Sequence, residues 1–230
     1  MTGEEDFIIE QPYQPTKAES EAISELVENG LNAKDWDSQK TSIKSFKKNL
    51  RHDMYNKQNQ RCAYCRIHVP IACVPMHREH IVYKDAHPQW MFLPKNLCIA
   101  CPTCNEFKGT TEVLTDPSTM KYPKDGSGFR IIHPMYDKYS DNIELVGGIL
   151  YRGKTAKGKF TIETCHLYRV SLAEERADIL YHDEHKDSII TQLISLASTS
   201  GTYVNDCNEL MEHVKEIVKK YKQALQNNAY

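Results

Sequence analysis

Four of the eight cysteines stand as two Cys-x-x-Cys pairs, Cys62-Ala-Tyr-Cys65 and Cys101-Pro-Thr-Cys104. Soft thiolates at this spacing suit a tetrahedral structural zinc. A metal shared by both pairs clamps the base of residues 66–100, so whatever folds between them is a small insert that leaves and returns at one point. In a reducing compartment such thiols do not form disulfides, and zinc ligation accounts for four of them in this pattern. Cys73, Cys98, Cys165 and Cys207 stand alone and read as small buried hydrophobes.

No apolar run is long enough to span a bilayer. The start, Met1 to Asp6, is acidic and lacks the basic and apolar stretches of a secretory leader. A cytoplasmic globular protein with no membrane partner is therefore expected. The formal charge of −2 says little, but its distribution is uneven. Glu4, Glu5, Asp6, Glu10, Glu19, Glu21, Glu25 and Glu28 face Lys17 alone in residues 1–30. In residues 40–61 Lys40, Lys44, Lys47, Lys48, Arg51, Lys57 and Arg61 face Asp53. That stripe either tracks phosphates or is a solvated helix face. The acidic end would restrain it until a partner moves it away.

Hydrophobic periodicity divides the chain into four stretches. Residues 1–58 read as an extended tail followed by two helices. The first opens at a Thr16-x-x-Glu19 capping box, buries Ala18, Ala22, Ile23, Leu26 and Val27, and stops near Gly30. The second covers 35–58, with Trp36, Ile43, Phe46, Leu50 and Met54 inward. Residues 59–110 hold short turns and strands around the cysteines. Residues 111–170 form a β and loop extension with strands near Arg130–Ile132, Ile143–Tyr151 and Lys159–Ile162. Residues 171–230 return to helix, first through Leu172, Ala173, Ile179, Leu180, Ile189, Ile190, Leu193 and Leu196. A last amphipathic helix carries Leu210, Val214, Ile217, Val218, Tyr221 and Leu225, a stripe that is either core or a partner surface. The fold class is α+β.

Within the insert, Val74-Pro-Met-His-Arg-Glu-His-Ile-Val82 places a carboxylate next to a histidine on a predicted strand. On a regular strand Glu79 and His80 face opposite sides, so both serve one phosphate only where the strand ends or bends. Asn96 and Asn105 follow, the latter fixed beside Cys104. Taken in order, Cys62-x-x-Cys65, Glu79-His80-Ile81, Asn96-Leu97 and Cys101-x-x-Cys104-Asn105-x-x-Lys108-Gly109 resemble the HNH (ββα-metal) endonuclease family in its cysteine-bearing form. Glu79 stands where that family more often has Asp.

The resemblance implies a ββα nuclease module. His80 would be the general base that activates water, a task its ordinary pKa suits. Glu79 and the side-chain oxygen of Asn105 would hold one Mg²⁺ or Mn²⁺, and Asn96 would orient the His80 loop. Lys108 would contact phosphate, with Arg78 and His77 also at the substrate, although His77 could instead be a third ligand. His87 is expected exposed in its loop. The likeness extends more weakly through Phe129–Asp137 and Leu167–Leu172. There Arg169 and Arg176 either reach phosphate or lie on a solvated face, and His133 and Asp137 either line the cleft or brace a turn. The longer pattern looks like bacterial anti-phage nucleases of the Septu and retron-associated kinds, which work with an ABC-type ATPase. The expected activity is phosphodiester hydrolysis in DNA. Cleavage of RNA, tRNA included, and a zinc-dependent binding module without catalysis are the rival readings, since no base-reading helix or single-strand platform stands out.

Overall fold

The computed structural model describes residues 5–69 and 76–181. Cys73, Cys207, Ile189 to Leu196 and the stripe from Leu210 to Leu225 lie outside the described residues. Helix α1 (Lys17–Glu28) begins at the expected capping box, in which the Thr16 hydroxyl and the Glu19 carboxylate cap each other's backbone N–H groups. Helix α2 (Thr41–Lys57) buries Ile43, Phe46, Leu50 and Met54. It starts six residues later than periodicity suggested, because Ala33–Asp37 forms its own 3₁₀ turn. Asn32 and Asp35 cap that turn reciprocally, and Trp36 is carried on it.

Strands β1 (His77–His80) and β2 (Leu97–Ala100) pair antiparallel, with His77 opposite Ala100 and His80 opposite Leu97. Helix α3 (Pro102–Lys108) follows directly, so the order is strand, strand, helix. A four-residue helix α4 (Tyr139–Asn142) leads into β3 (Ile143–Val146) and β4 (Leu150–Gly153), a second antiparallel hairpin. Gly147 and Gly148, at φ 60° and 75°, form its turn. Both central residues at positive φ give the twist that paired strands need, and they split what the sequence suggested was one strand. Helices α5 (Ala156–Thr164) and α6 (Val170–Tyr181) end the described chain.

Val27, expected inward on α1, is exposed, and three further expectations are corrected. Lys159–Ile162 is helical: Thr155 caps α5 by accepting from Gly158 N, and Thr161 bonds back to Lys157 O. Around Arg130–Ile132 there is only a bridge between Phe129 and Leu114, although Ile131 and Ile132 are buried. The N-terminal stretch is no loose tail in its described part, since Phe7, Ile9 and Tyr13 enter the core and Ile9 N bonds Pro134 O.

The architecture is a small α+β fold. Its buried side chains form one cluster from Phe7 to Leu172 that draws on every stretch of the described chain. Cys98 and Cys165 belong to it, as expected of lone cysteines. No described helix is long and apolar enough to cross a membrane.

Candidate functional site

The two cysteine pairs meet. The sulfurs of Cys62, Cys65, Cys101 and Cys104 all lie within 4.8 Å of one another, and Cys65 Sγ is 3.9 Å from Cys101 Sγ. Tetrahedral zinc with bonds of about 2.3 Å sets its sulfurs roughly 3.8 Å apart, so this donor set fits that ion. Each pair forms a turn with an N–H···S bond, Tyr64 N to Cys62 Sγ and Cys104 N to Cys101 Sγ, both at 3.4 Å. Arg66 follows the first pair at φ 60°, a left-handed residue that turns the chain back. Burial alone would raise the Cys62 thiol, but hydrogen bonds from Cys101, Cys104 and Cys65 bring it well below its usual range. The Cys65 and Cys104 thiols are pushed up, chiefly by their bonds to Cys101.

Residues far away in sequence close this centre. The Arg169 guanidinium points two nitrogens at Cys104 Sγ, at 3.7 and 3.8 Å, and also bonds the carbonyls of Cys165 and His166. Arg176 is buried on the Cys65 carbonyl at 2.7 Å, on Glu5 at 2.9 Å and on the Tyr151 hydroxyl. In these contacts both arginines hold the cysteine turns rather than lie on a solvated face. The Arg66 guanidinium lies between the rings of Phe7 and Tyr139, at 3.6 and 4.4 Å.

On the strand–strand–helix unit, β1 alternates as its geometry requires. His77 and Glu79 face α3. Asn105 Nδ2 donates to His77 Nδ1 at 3.1 Å near the surface. Glu79 is buried against the Lys108 ammonium at 2.6 Å, and the Tyr64 hydroxyl reaches the same oxygen, Oε1, at 3.4 Å. Burial raises the Glu79 carboxyl above its usual range, with Lys108 opposing. Lys108 also donates to His80 O at 2.9 Å. At 1% exposure it is fully enclosed, so the ammonium expected on phosphate is instead engaged with the end of β1.

His80 faces the other way. Its Nε2 lies 3.1 Å from Met91 O, and its ring meets Trp36 edge-on at 4.4 Å. A carbonyl only accepts, so Nε2 carries the proton and Nδ1 keeps its lone pair. Burial, with help from Lys84 and Lys108, lowers the imidazolium pKa to about 3. Near neutral pH the ring is neutral, and it is a weaker base in this setting than the ordinary imidazole expected from sequence.

Asn96, fully buried, ties together the loop that supplies Met91. Its Oδ1 accepts from Val82 N at 2.8 Å, and its Nδ2 donates to Val82 O and Trp90 O at 3.0 and 3.2 Å. The Tyr122 hydroxyl links Asn96 and Lys95 O to His133 Nε2. His133 is buried and bonded to Met135 N and, through its own N–H, to Asp137. Of the two readings for His133 and Asp137, the braced turn is the observed one. His87, expected exposed, is buried in a face-to-face stack on Trp90 at 4.3 Å.

Arg78 shares the His80 side of β1, facing Lys47 and Arg51 of α2. Of the stripe to which those two belong, Lys40 pairs with Glu25 and Arg61 with Glu5. Trp36, Tyr64 and Tyr122 were missed from sequence, because each reaches its partner across a turn that periodicity does not encode.

The chain is 26% identical over 162 residues to the Septu protein PtuB of Bacillus thuringiensis, a match covering 69% of this chain and 53% of that protein. The chain thus spans about half the length of that relative. No family model and no solved structure matches.

Proposed function

We propose that this chain is an HNH-type, metal-dependent endonuclease that hydrolyses phosphodiester bonds in DNA, and that it serves anti-phage defence of the Septu type beside an ABC-type ATPase. The observation that carries the proposal is the setting of His80. Its imidazole is fixed by Nε2 to Met91 O, at the end of a strand that also bears Glu79, in a strand–strand–helix unit closed by four cysteines. A binding module has no use for a base held this way. The likeness to Septu protein PtuB supports the biological setting.

Each residue has a stated task. Nδ1 of His80 takes a proton from the water that attacks phosphorus, while the P–O bond to the 3′ oxygen breaks; that oxygen leaves with the electron pair and takes a proton from solvent, giving 5′-phosphate and 3′-hydroxyl ends. Asn96 holds Trp90 and Val82, and through that loop the carbonyl that fixes the imidazole. Glu79 and Asn105 are hard oxygen donors on facing elements. Lys108 and Tyr64 both use Oε1 of Glu79, and Asn105 bonds His77 through nitrogen. Each side chain thus retains an oxygen for Mg²⁺ or Mn²⁺. A bound divalent cation would stabilise charge on the phosphate and the leaving oxygen. Lys108 positions the strand end rather than touching substrate. Zinc on the four cysteines is structural.

The test compares zinc-loaded wild type with His80→Ala on plasmid DNA and total tRNA, with and without Mg²⁺, alone and with the candidate ATPase. DNA cleavage that needs both Mg²⁺ and His80 is expected. Cleavage of tRNA alone would replace DNA by RNA as substrate. Tight nucleic-acid binding with no cleavage under any condition would overturn the enzymatic reading.

A further inference from the structure

The face of β1 that carries His80 presents a cluster of cations, in which Asp37 is the acid that acts on Lys47. Lys44, Lys47, Lys48 and Arg51 recur at helical spacing along α2, and Asp53, the acid of that helix, is held by Lys57 at 2.6 Å. Like charges three and four residues apart destabilise an isolated helix, so their persistence calls for a reason. Arg78 adds a further cation from the strand. The Nε atoms of Arg51 and Arg78 are both buried without a hydrogen-bond acceptor. Among the described residues neither guanidinium meets a carboxylate within ion-pair distance. Buried polar groups are rarely left so.

Lys47 and Arg51 lie one turn apart on α2, and burial, Arg78 and Lys44 lower the Lys47 pKa, with Asp37 opposing. The cluster is also tied to His80. Lys47 Nζ donates to Trp36 O at 2.8 Å and lies 5.6 Å from the centre of the Trp36 ring, which meets the His80 ring at 4.4 Å. Arg78 sits two residues before His80 on the same strand face.

We infer that Lys47, Arg51 and Arg78 form a binding site for a nucleic-acid phosphodiester, which seats the backbone beside His80. Two forked guanidinium groups and one ammonium match the planar oxygen pairs and the charge of a phosphate. The inference rests on the nuclease reading for its ligand. Its geometry is independent of Glu79, Asn105 and any metal.

The experiment uses the full zinc-loaded chain with His80→Ala, so that nothing is cut, and adds Arg51→Gln, Arg78→Gln or Arg78→Lys. Binding of a short labelled duplex is measured by anisotropy across a salt series. Each Gln variant is expected to weaken binding about tenfold and to reduce the salt slope by roughly 0.9. Arg78→Lys should keep the slope. Without nucleic acid, the Gln variants should melt no lower than their parent, because each removes a repelling charge. Inorganic tripolyphosphate should raise the melting temperature of the parent more than theirs.

If the duplex binds parent and both Gln variants with equal affinity and slope, the site is refuted while the nuclease reading stands. A parent that ignores duplex but is stabilised by tripolyphosphate more than the variants supports the anion site and counts against the nuclease reading. Gln variants that melt well below the parent would show that the arginines serve the fold, and would overturn the inference.

Discussion

His133 should make the stability of this protein fall with acid in a way one substitution can isolate. Met135 N donates to its Nδ1, so the neutral ring carries its proton on Nε2, toward the Tyr122 hydroxyl. A second proton would have to enter at Nδ1, against an N–H that already points there. Burial, with the Lys157 ammonium nearby, lowers the folded-state pKa to about 3, against roughly 6.5 in the unfolded chain. Between these values the unfolded chain binds a proton that the folded one refuses, so stability is full above about pH 6.5 and declines as pH falls toward 3. From about pH 7.5 to about pH 5 the loss attributable to this residue is about 2 kcal/mol. With urea slopes of about 1–3 kcal/mol/M, the midpoint moves by roughly 1 M. His80 and the cysteine centre also respond to acid, so the measurement is a difference. Wild type and His133→Phe are unfolded in urea at both pH values with zinc in excess. Phe keeps the stacking on Phe129 and Tyr136 but cannot be protonated. It should be less stable at the higher pH, and the gap should narrow by about 2 kcal/mol at the lower. A gap that is the same at both pH values would refute the reasoning.

Arg169→Gln should weaken zinc binding by about 10–100-fold in a chelator competition, because it removes the cation beside Cys104. Arg169→Lys should recover part of the loss, and equal affinity in all three proteins would count against the contact. Asn96→Ala leaves Val82 N, Val82 O and Trp90 O without a partner. It should cost about 3 kcal/mol or more in denaturant unfolding, and also suppress DNA cleavage. A loss below about 1 kcal/mol would mean that other groups hold the loop. Gly158→Ala would place a Cβ 2.0 Å from Asn142 O, a backbone atom that cannot swing aside. A destabilisation of about 1–3 kcal/mol is expected, and an unchanged melting temperature would show that α5 can shift freely.

Much of the site was legible because its signals are local. Cysteine spacing announced a shared metal, and the Thr16 to Glu19 box fixed the start of α1. Period-two alternation on β1 separated Glu79 from His80 before any coordinates. What sequence could not supply was the use made of long side chains. Lys108 and Arg176 look like surface cations by type, yet each is buried by a contact with an acid, Glu79 in one case and Glu5, 171 residues away, in the other. The same limit hid Trp36, since the 3₁₀ turn that aims it at His80 depends on Asn32 and Asp35 rather than on hydrophobic period. Lys159–Ile162 read as strand because Phe160 and Ile162 alternate with polar residues. The Thr155 cap and the close passage of Gly158 past Asn142 decided for helix.

The closure of the first cysteine turn bears on how the protein is made. The carbonyl of Cys65 is held by Arg176, 111 residues later in the chain, and by Tyr151, while the neighbouring Tyr64 carbonyl is held by Tyr139. During synthesis all four thiols are made before these side chains, Tyr139 following Cys104 by 35 residues and Arg176 by 72. An ion captured at that stage sits in a centre open to water and to exchange with other metals. Docking of α6, together with Glu5 from the opposite end, then seals it. A cation held by these cysteines would thus exchange freely until α6 docks, and slowing elongation between Cys104 and Arg176 would lengthen the time in which a wrong ion could be replaced.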